Sequence, residues 1–171
     1  MTATDHAEAR DRVVRAHMDA EEKRDFVAAR ATFHHPRYEI AATGEVHDGA
    51  DAVMRFYDET GRAFPDLSFT PPTLRHSADA VTVETVYRAT HLGAWRGLPA
   101  TGRVVEYPML NVFLFDDDRL VGERMYFDLL TPLRQIGIAR DPTSLSGRIA
   151  LAVNHPVTVG VAFARAALRG R

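Results

Sequence analysis

At Leu67 the apolar pattern of the chain changes period, from helical before it to alternating after it. From about Asp5 to Thr32, Ala, Glu and Arg predominate, no Gly or Pro intervenes, and Val13, Val14, His17, Met18, Phe26 and Val27 recur at roughly helical spacing. This predicts a long helix bent near Lys23. "HHPRYEIAATGEVHDG" then predicts a brief strand, Tyr38 to Ala42, followed by a loop around Gly44. In "DGADAVMRFYDETGRAFPD", Val53, Met54, Phe56 and Tyr57 gather on one side of a second helix, which Pro65 ends. Beyond Leu67, "LSFTPPTLRHS", "DAVTVETVYRATHL", "RVVEYPMLNVFLF" and "RLVGERMYFDLL" predict four strands. Polar turns at Ser77 to Asp79 and at "DDD", 116 to 118, make at least two of the pairs antiparallel. Helices first and a strand meander afterwards predict an α+β domain, a curved antiparallel sheet with one face covered by the helices. Such a covered sheet leaves a concave apolar cavity suited to a small ligand.

Composition narrows the function classes. With 171 residues, 46% hydrophobic and 26% charged, the chain suits one soluble domain with a real core. A formal charge of -2 and a pI near 6.4 give no basic field for nucleic acid. The absence of cysteine excludes disulfides, thiolate nucleophiles and Cys-bound zinc. The acidic, polar start "MTATDHAEARDR" lacks the apolar core of a signal peptide, and no apolar run reaches the length of a membrane span, so the expected location is cytoplasmic. Lys23 is the single lysine among 21 Lys and Arg residues, a bias expected of a GC-rich, bacterial genome. The end of the chain, 141–171, reads as a separate helical extension of two short helices divided at Pro156. Its apolar, basic character is compatible with a membrane surface, but packing on the domain, 1–140, or on a second subunit is the favoured expectation.

Few side chains stand out chemically. Alternation puts Val81, Val83, Thr85, Tyr87, Ala89 and His91 on one strand face, so His91 is either a satisfied core histidine or a functional one. Tyr107, Met109, Asn111 and Phe113 share a face of the next strand, where Asn111 needs a partner if buried. Asp128 interrupts "ERMYFDLLTPLRQIG" at the end of the last strand, on the face of Tyr126 and Arg124. It can pair with Arg124, or cap the helix that follows. The adjacent His34 and His35 of "FHHP" point apart in a strand and lack metal-ligand spacing, so no metal is expected. "HLGAWRGLPATG" opens no helix and fails as a phosphate loop; it reads as a wide loop with Trp95 and Leu98 over the cavity mouth.

Three segments, "FPDLSF", "THLGAWRGLPATGRVVEYP" and "RLVGERMYFDLLTPLRQIG", resemble the SnoaL-like polyketide cyclases of the nuclear transport factor 2-like superfamily, over about residues 8 to 138. The resemblance implies a cone-shaped α+β barrel, a deep apolar pocket, commonly a homodimer, and an intramolecular aldol ring closure without metal or organic cofactor. It makes Asp128 the acid/base. His91 becomes the group that protonates or polarises the developing oxyanion. His17, Tyr38, Tyr107, Asn111 and Arg124 become candidates for contacting an apolar, carbonyl-containing substrate. Arg124 stands where many relatives have Trp. The same superfamily includes epoxide hydrolases, which need two acids with an Arg between them, and non-catalytic binding domains.

Overall fold

A computed structural model describes residues 3–169. Helix α1 (Ala3–Glu22) and α2 (Phe26–Ala31) replace the single bent helix, and the break falls at Arg24, whose φ of 59° lies in the left-handed region. Asp25 caps α2 by accepting a hydrogen bond from Ala28 N at 3.0 Å. Strand β1 (Arg37–Ile40) pairs with β2 (Glu45–Asp48), a strand that its polar sequence had made look like loop. Helix α3 (Ala50–Ala63) stops two residues before Pro65.

The alternating half forms β3 (Ser68–Phe69), β4 (Thr73–His76), β5 (Ala80–Thr90), β6 (Val104–Asp116) and β7 (Arg119–Tyr126). The expected first strand is two pieces, because Pro71 and Pro72 supply no N–H to the ladder. Both pieces pair with β5, one at each end. Among the described residues the sheet has seven strands in the order β2-β1-β7-β6-β5-β3, with β4 also on β5. Every pairing is antiparallel except β1 with β7, which run parallel. The domain is thus α+β, a curved open sheet with N-terminal helices against it.

Two features position the interior. Arg10 of α1 is buried, donates from Nε to the Asp117 carbonyl at 2.9 Å and from Nη1 to the Ala78 carbonyl at 3.0 Å, and lies over the Phe115 ring. This ties α1 to two hairpin tips at one end of the sheet. In β7 a bulge shifts the register: Leu114 faces Gly122 but Phe115 faces Leu120, so Val121 is the extra residue. Leu120 points inward before the shift, and Glu123, Met125 and Phe127 after it, while Gly122 lies opposite Leu114 on the outer face.

The interior contains two apolar clusters. One joins α1 and α3 to the sheet through Val14, Met18, Val53, Val83 and Phe113; the other collects Phe64, Tyr87, Trp95, Val105 and Tyr107. Helix α4 (Leu130–Gln135) closes the first compact unit, which ends at Ile136. The second unit begins at Gly137 and contains α5 (Leu145–Asn154) and α6 (Pro156–Arg169), bent by 107° at the break before Pro156. Ser144 caps α5 through Gly147 N. Among the described residues no single helix is long and apolar enough to cross a membrane.

The loop after β5 lies on the end of α3, where Leu92 N and Gly93 N both donate to the Ala63 carbonyl. A Cβ at Gly93 would come within 2.2 Å of the Arg62 carbonyl oxygen. Gly93→Ala is expected to cost on the order of 2 kcal/mol in urea unfolding, because backbone must move; Gly97→Ala creates no such clash and tests only a positive φ.

Candidate functional site

A cavity of about 90 Å³ lies between the two apolar clusters. Its wall is largely aromatic and aliphatic: Phe64, Tyr87, Trp95, Tyr107, Met109 and Phe127 contribute from the sheet side and the loop. The rings of Tyr87 and Tyr107 stack with centroids 5.0 Å apart. Trp95 is held by a two-residue turn, its N–H and carbonyl both bonded to Leu98. The polar groups on the wall are few. Glu21 enters from the end of α1, Asn111 from β6, and Arg24 and Arg96 are also in the lining. Arg96 is engaged in a two-point pair with Glu45. Asn111 is almost fully buried and its Oδ1 has no hydrogen-bond partner.

Glu21 belongs to a buried polar cluster. Tyr38 OH donates to Glu21 Oε1 at 2.8 Å and lies 2.8 Å from Tyr57 OH and 2.7 Å from His17 Nε2. His17 Nε2 also lies 3.4 Å from Glu21 and 3.3 Å from Glu123 Oε2. The imidazole is wedged edge-on between Phe33 and Phe113. Burial alone would lower the His17 pKa, but the neighbouring Glu21 and Glu123 overcome that and push it up to about 10. Burial pushes the Glu123 carboxyl up, and the phenols of Tyr38 and Tyr57 are raised for the same reason. The cluster therefore balances one cation, His17, against carboxylates of unequal exposure: Glu123 is sealed in, and Glu21 reaches the cavity. The ligand atoms of His17, Glu21 and Glu123 all lie within 4.8 Å of one another.

The residues singled out by sequence divide sharply. Asn111 and Tyr107 line the cavity. His17 and Tyr38 are inside but stand behind Glu21, outside the lining. Asp128 is corrected: it is exposed, and its carboxylate accepts from Leu130 N at 3.0 Å and from the Thr131 hydroxyl at 2.7 Å. Those bonds, the Thr131 hydroxyl first, hold its carboxyl below the usual range. It binds the first turn of α4 from one residue before the Leu129 N-cap and is not in the cavity wall, to which the neighbouring Phe127 belongs. Arg124 is corrected too. It lies on the outer face, outside the cavity wall, and pairs with Glu39 at 2.5 Å rather than with Asp128. His91 is fully buried, as alternation predicts, and touches Phe64 and Trp95, but it is not part of the cavity wall. Its Nδ1 meets Thr101 Oγ1 at 3.2 Å, and burial lowers its pKa. His35 pairs with Asp48 at the surface.

Glu21 and Glu123 were not among the sequence candidates. Glu21 sits in the run "AEEKRD", which looks solvated, and Glu123 adjoins Arg124. The available signal is Val14, His17, Met18 and Glu21, which share one helix face.

Sheet, covering helices and enclosed cavity together define a nuclear transport factor 2-like domain. The chain belongs to the SnoaL-like polyketide cyclase family, whose profile matches residues 11–136. IdmH, a candidate polyketide cyclase from Streptomyces antibioticus, is 25% identical, with a TM-score of 0.63 over 75% of this chain and 98% of its own. A candidate SnoaL-like polyketide cyclase from Jannaschia sp. CCS1 is 20% identical, with a TM-score of 0.70 over 78% and 94%. AclR of Streptomyces galilaeus, described as a candidate hydroxylase, is 17% identical, with a TM-score of 0.66 over 77% and 97%. The last two bear on the fold alone. No curated protein matches the sequence.

The raised pKa of His17 fixes the sign of a pH effect. A folded pKa near 10 against 6.5 when unfolded means stability fully present below about pH 6.5 and lost as pH rises through about 10. The raised Glu123 acts with the same sign from lower pH. Thermal melts from pH 6 to 10 should show a falling Tm, and His17→Gln should flatten that slope; parallel slopes would contradict the assignment.

Proposed function

We propose that the chain catalyses proton transfer next to a carbonyl in an apolar, polyketide-like compound, with Glu21 as the acid/base. One observation supports this above the others: Glu21 is the carboxylate in a mostly aromatic cavity wall, and a buried cluster fixes its position. The Glu21 carboxylate removes a proton from the carbon beside the carbonyl, leaving an enolate and a neutral Glu21. In a substrate folded by the cavity, the enolate carbon bonds to a second carbonyl carbon. The resulting alkoxide takes the proton back from Glu21, so the ring closes with no net loss of atoms. The Asn111 side-chain amide is the polar group on the wall suited to donate to the oxyanion. The stacked Tyr87 and Tyr107 rings favour a flat, conjugated ligand, and the near absence of polar lining keeps water from quenching the enolate.

A second reading is epoxide opening by activated water. It is favoured by His17, a cation held between two carboxylates, in the place where that chemistry uses Arg. Hydrolysis of styrene oxide without ketone exchange would select it.

The test of the main reading is deuterium exchange at the α-carbons of 2-tetralone in D₂O, followed by proton NMR. Wild-type protein should accelerate exchange, and Glu21→Gln should reduce the acceleration by roughly 10²-fold or more. Asp128→Asn, which keeps the Oδ1 acceptor for Leu130 N, should leave it unchanged. Exchange that survives in Glu21→Gln and disappears in Asp128→Asn would return the role to Asp128.

A further inference from the structure

Nε2 of His17 is approached by more oxygens than a single N–H can serve. Tyr38 OH lies at 2.7 Å, Glu123 Oε2 at 3.3 Å and Glu21 Oε1 at 3.4 Å. An imidazole nitrogen carries one proton, in the ring plane, and donates one directed bond. The other ring nitrogen is already committed. Nδ1 lies 3.2 Å from the Ala29 carbonyl and 2.8 Å from Thr32 Oγ1, and the Thr32 hydroxyl gives its own proton to that same carbonyl. Both groups facing Nδ1 are therefore acceptors, and Nδ1 carries a proton. In the neutral ring this leaves a lone pair on Nε2, which now faces the Tyr38 hydroxyl with one oxygen each of Glu21 and Glu123 beside it, so an ion bound there takes the place of the Tyr38 contact. Neither oxygen of Glu123, whose side chain is 1% exposed, has a hydrogen-bond partner.

A single small cation satisfies all three groups. We infer that His17, Glu21 and Glu123 form a binding site for a divalent transition-metal ion, with Zn²⁺ as its simplest occupant. The Nε2-to-oxygen separations of 3.3 and 3.4 Å match the edges of a tetrahedron with metal–ligand bonds of about 2.0–2.1 Å. Imidazole with two carboxylates is a donor set for zinc, manganese or ferrous iron and not for calcium. The Nδ1–H to backbone carbonyl bond is the outer support that fixes the tautomer of a ligating histidine. A dication also neutralises two carboxylates in a site where unbalanced charge is costly. Glu21, at the cavity wall, gives the ion its way in. This inference goes beyond the proton-transfer reading: a bound ion takes the Glu21 carboxylate as a ligand and competes with its use as a base.

The experiment is titration of EDTA-stripped, dialysed full-length chain with Co²⁺ by visible absorption, and with Zn²⁺ by calorimetry. One equivalent is expected to bind in the micromolar range or tighter, with the d–d bands of a four- or five-coordinate cobalt. The isosteric Glu123→Gln should weaken binding by more than about tenfold, the loss seen even for outer partners of a metal. Glu21→Gln, nearer the cavity, repeats the test if Glu123→Gln unfolds by circular dichroism. His35→Ala, at a surface His–Asp pair, should bind as wild type does. Sub-stoichiometric binding, or binding that both glutamine variants keep and His35→Ala loses, overturns the site. Ketone exchange measured in EDTA reports on the proton-transfer reading alone, so the two can fail separately.

Discussion

The architecture of this interior depends on a histidine buried between two carboxylates. His17 is placed by α1, Glu21 follows one turn later, Tyr38 comes from β1 and Glu123 from β7, so the cluster joins the helical layer to two adjacent strands. Each side chain would be costly to bury alone. Together they balance charge, and Tyr38 hydrogen-bonds His17 and Glu21; removal of one partner of a buried ion pair ordinarily costs about 3–5 kcal/mol. The parallel pairing of β1 with β7 is what sets Tyr38 opposite Glu123.

The same cluster determines what the cavity can do. It places a carboxylate at a wall built otherwise from rings and aliphatic groups, and it holds that carboxylate from behind through Tyr38 and His17. A fixed base in a dry pocket loses little to reorganisation when it takes a proton from carbon. Asn111 also lines the cavity, from a strand face where its neighbours are Met109 and Phe113.

Much of the fold was legible because apolar spacing changes from helical to alternating at Leu67, and the α+β class, the hairpin at 116–118 and the break at Pro156 follow from that and from Pro placement. The strand β2 was not, since Glu45–Asp48 is polar and exposed at a sheet edge. Nor was the split at Pro71 and Pro72 read as two strands. In the site, Tyr107 and Asn111 were readable because β6 alternates without interruption. Alternation put Asp128 on the face of Arg124 and Tyr126, where it is, bonded to the start of α4; it was the resemblance that moved it into the site, while the bulge at Val121 is what brings Glu123 inward. Sequence alternation carries no mark of such a bulge. Glu21 and Glu123 were hidden for a related reason: a carboxylate next to Lys or Arg looks solvated until the fold shows which face it occupies.

The most direct test is long-range proton–nitrogen NMR of the eight histidines across a pH titration of the metal-free protein. The account predicts that His17 keeps both ring nitrogens protonated at pH 8, and that Glu21→Gln shifts its titration downward. A neutral His17 ring at pH 7 in the wild-type protein, with no change in the variant, would contradict it.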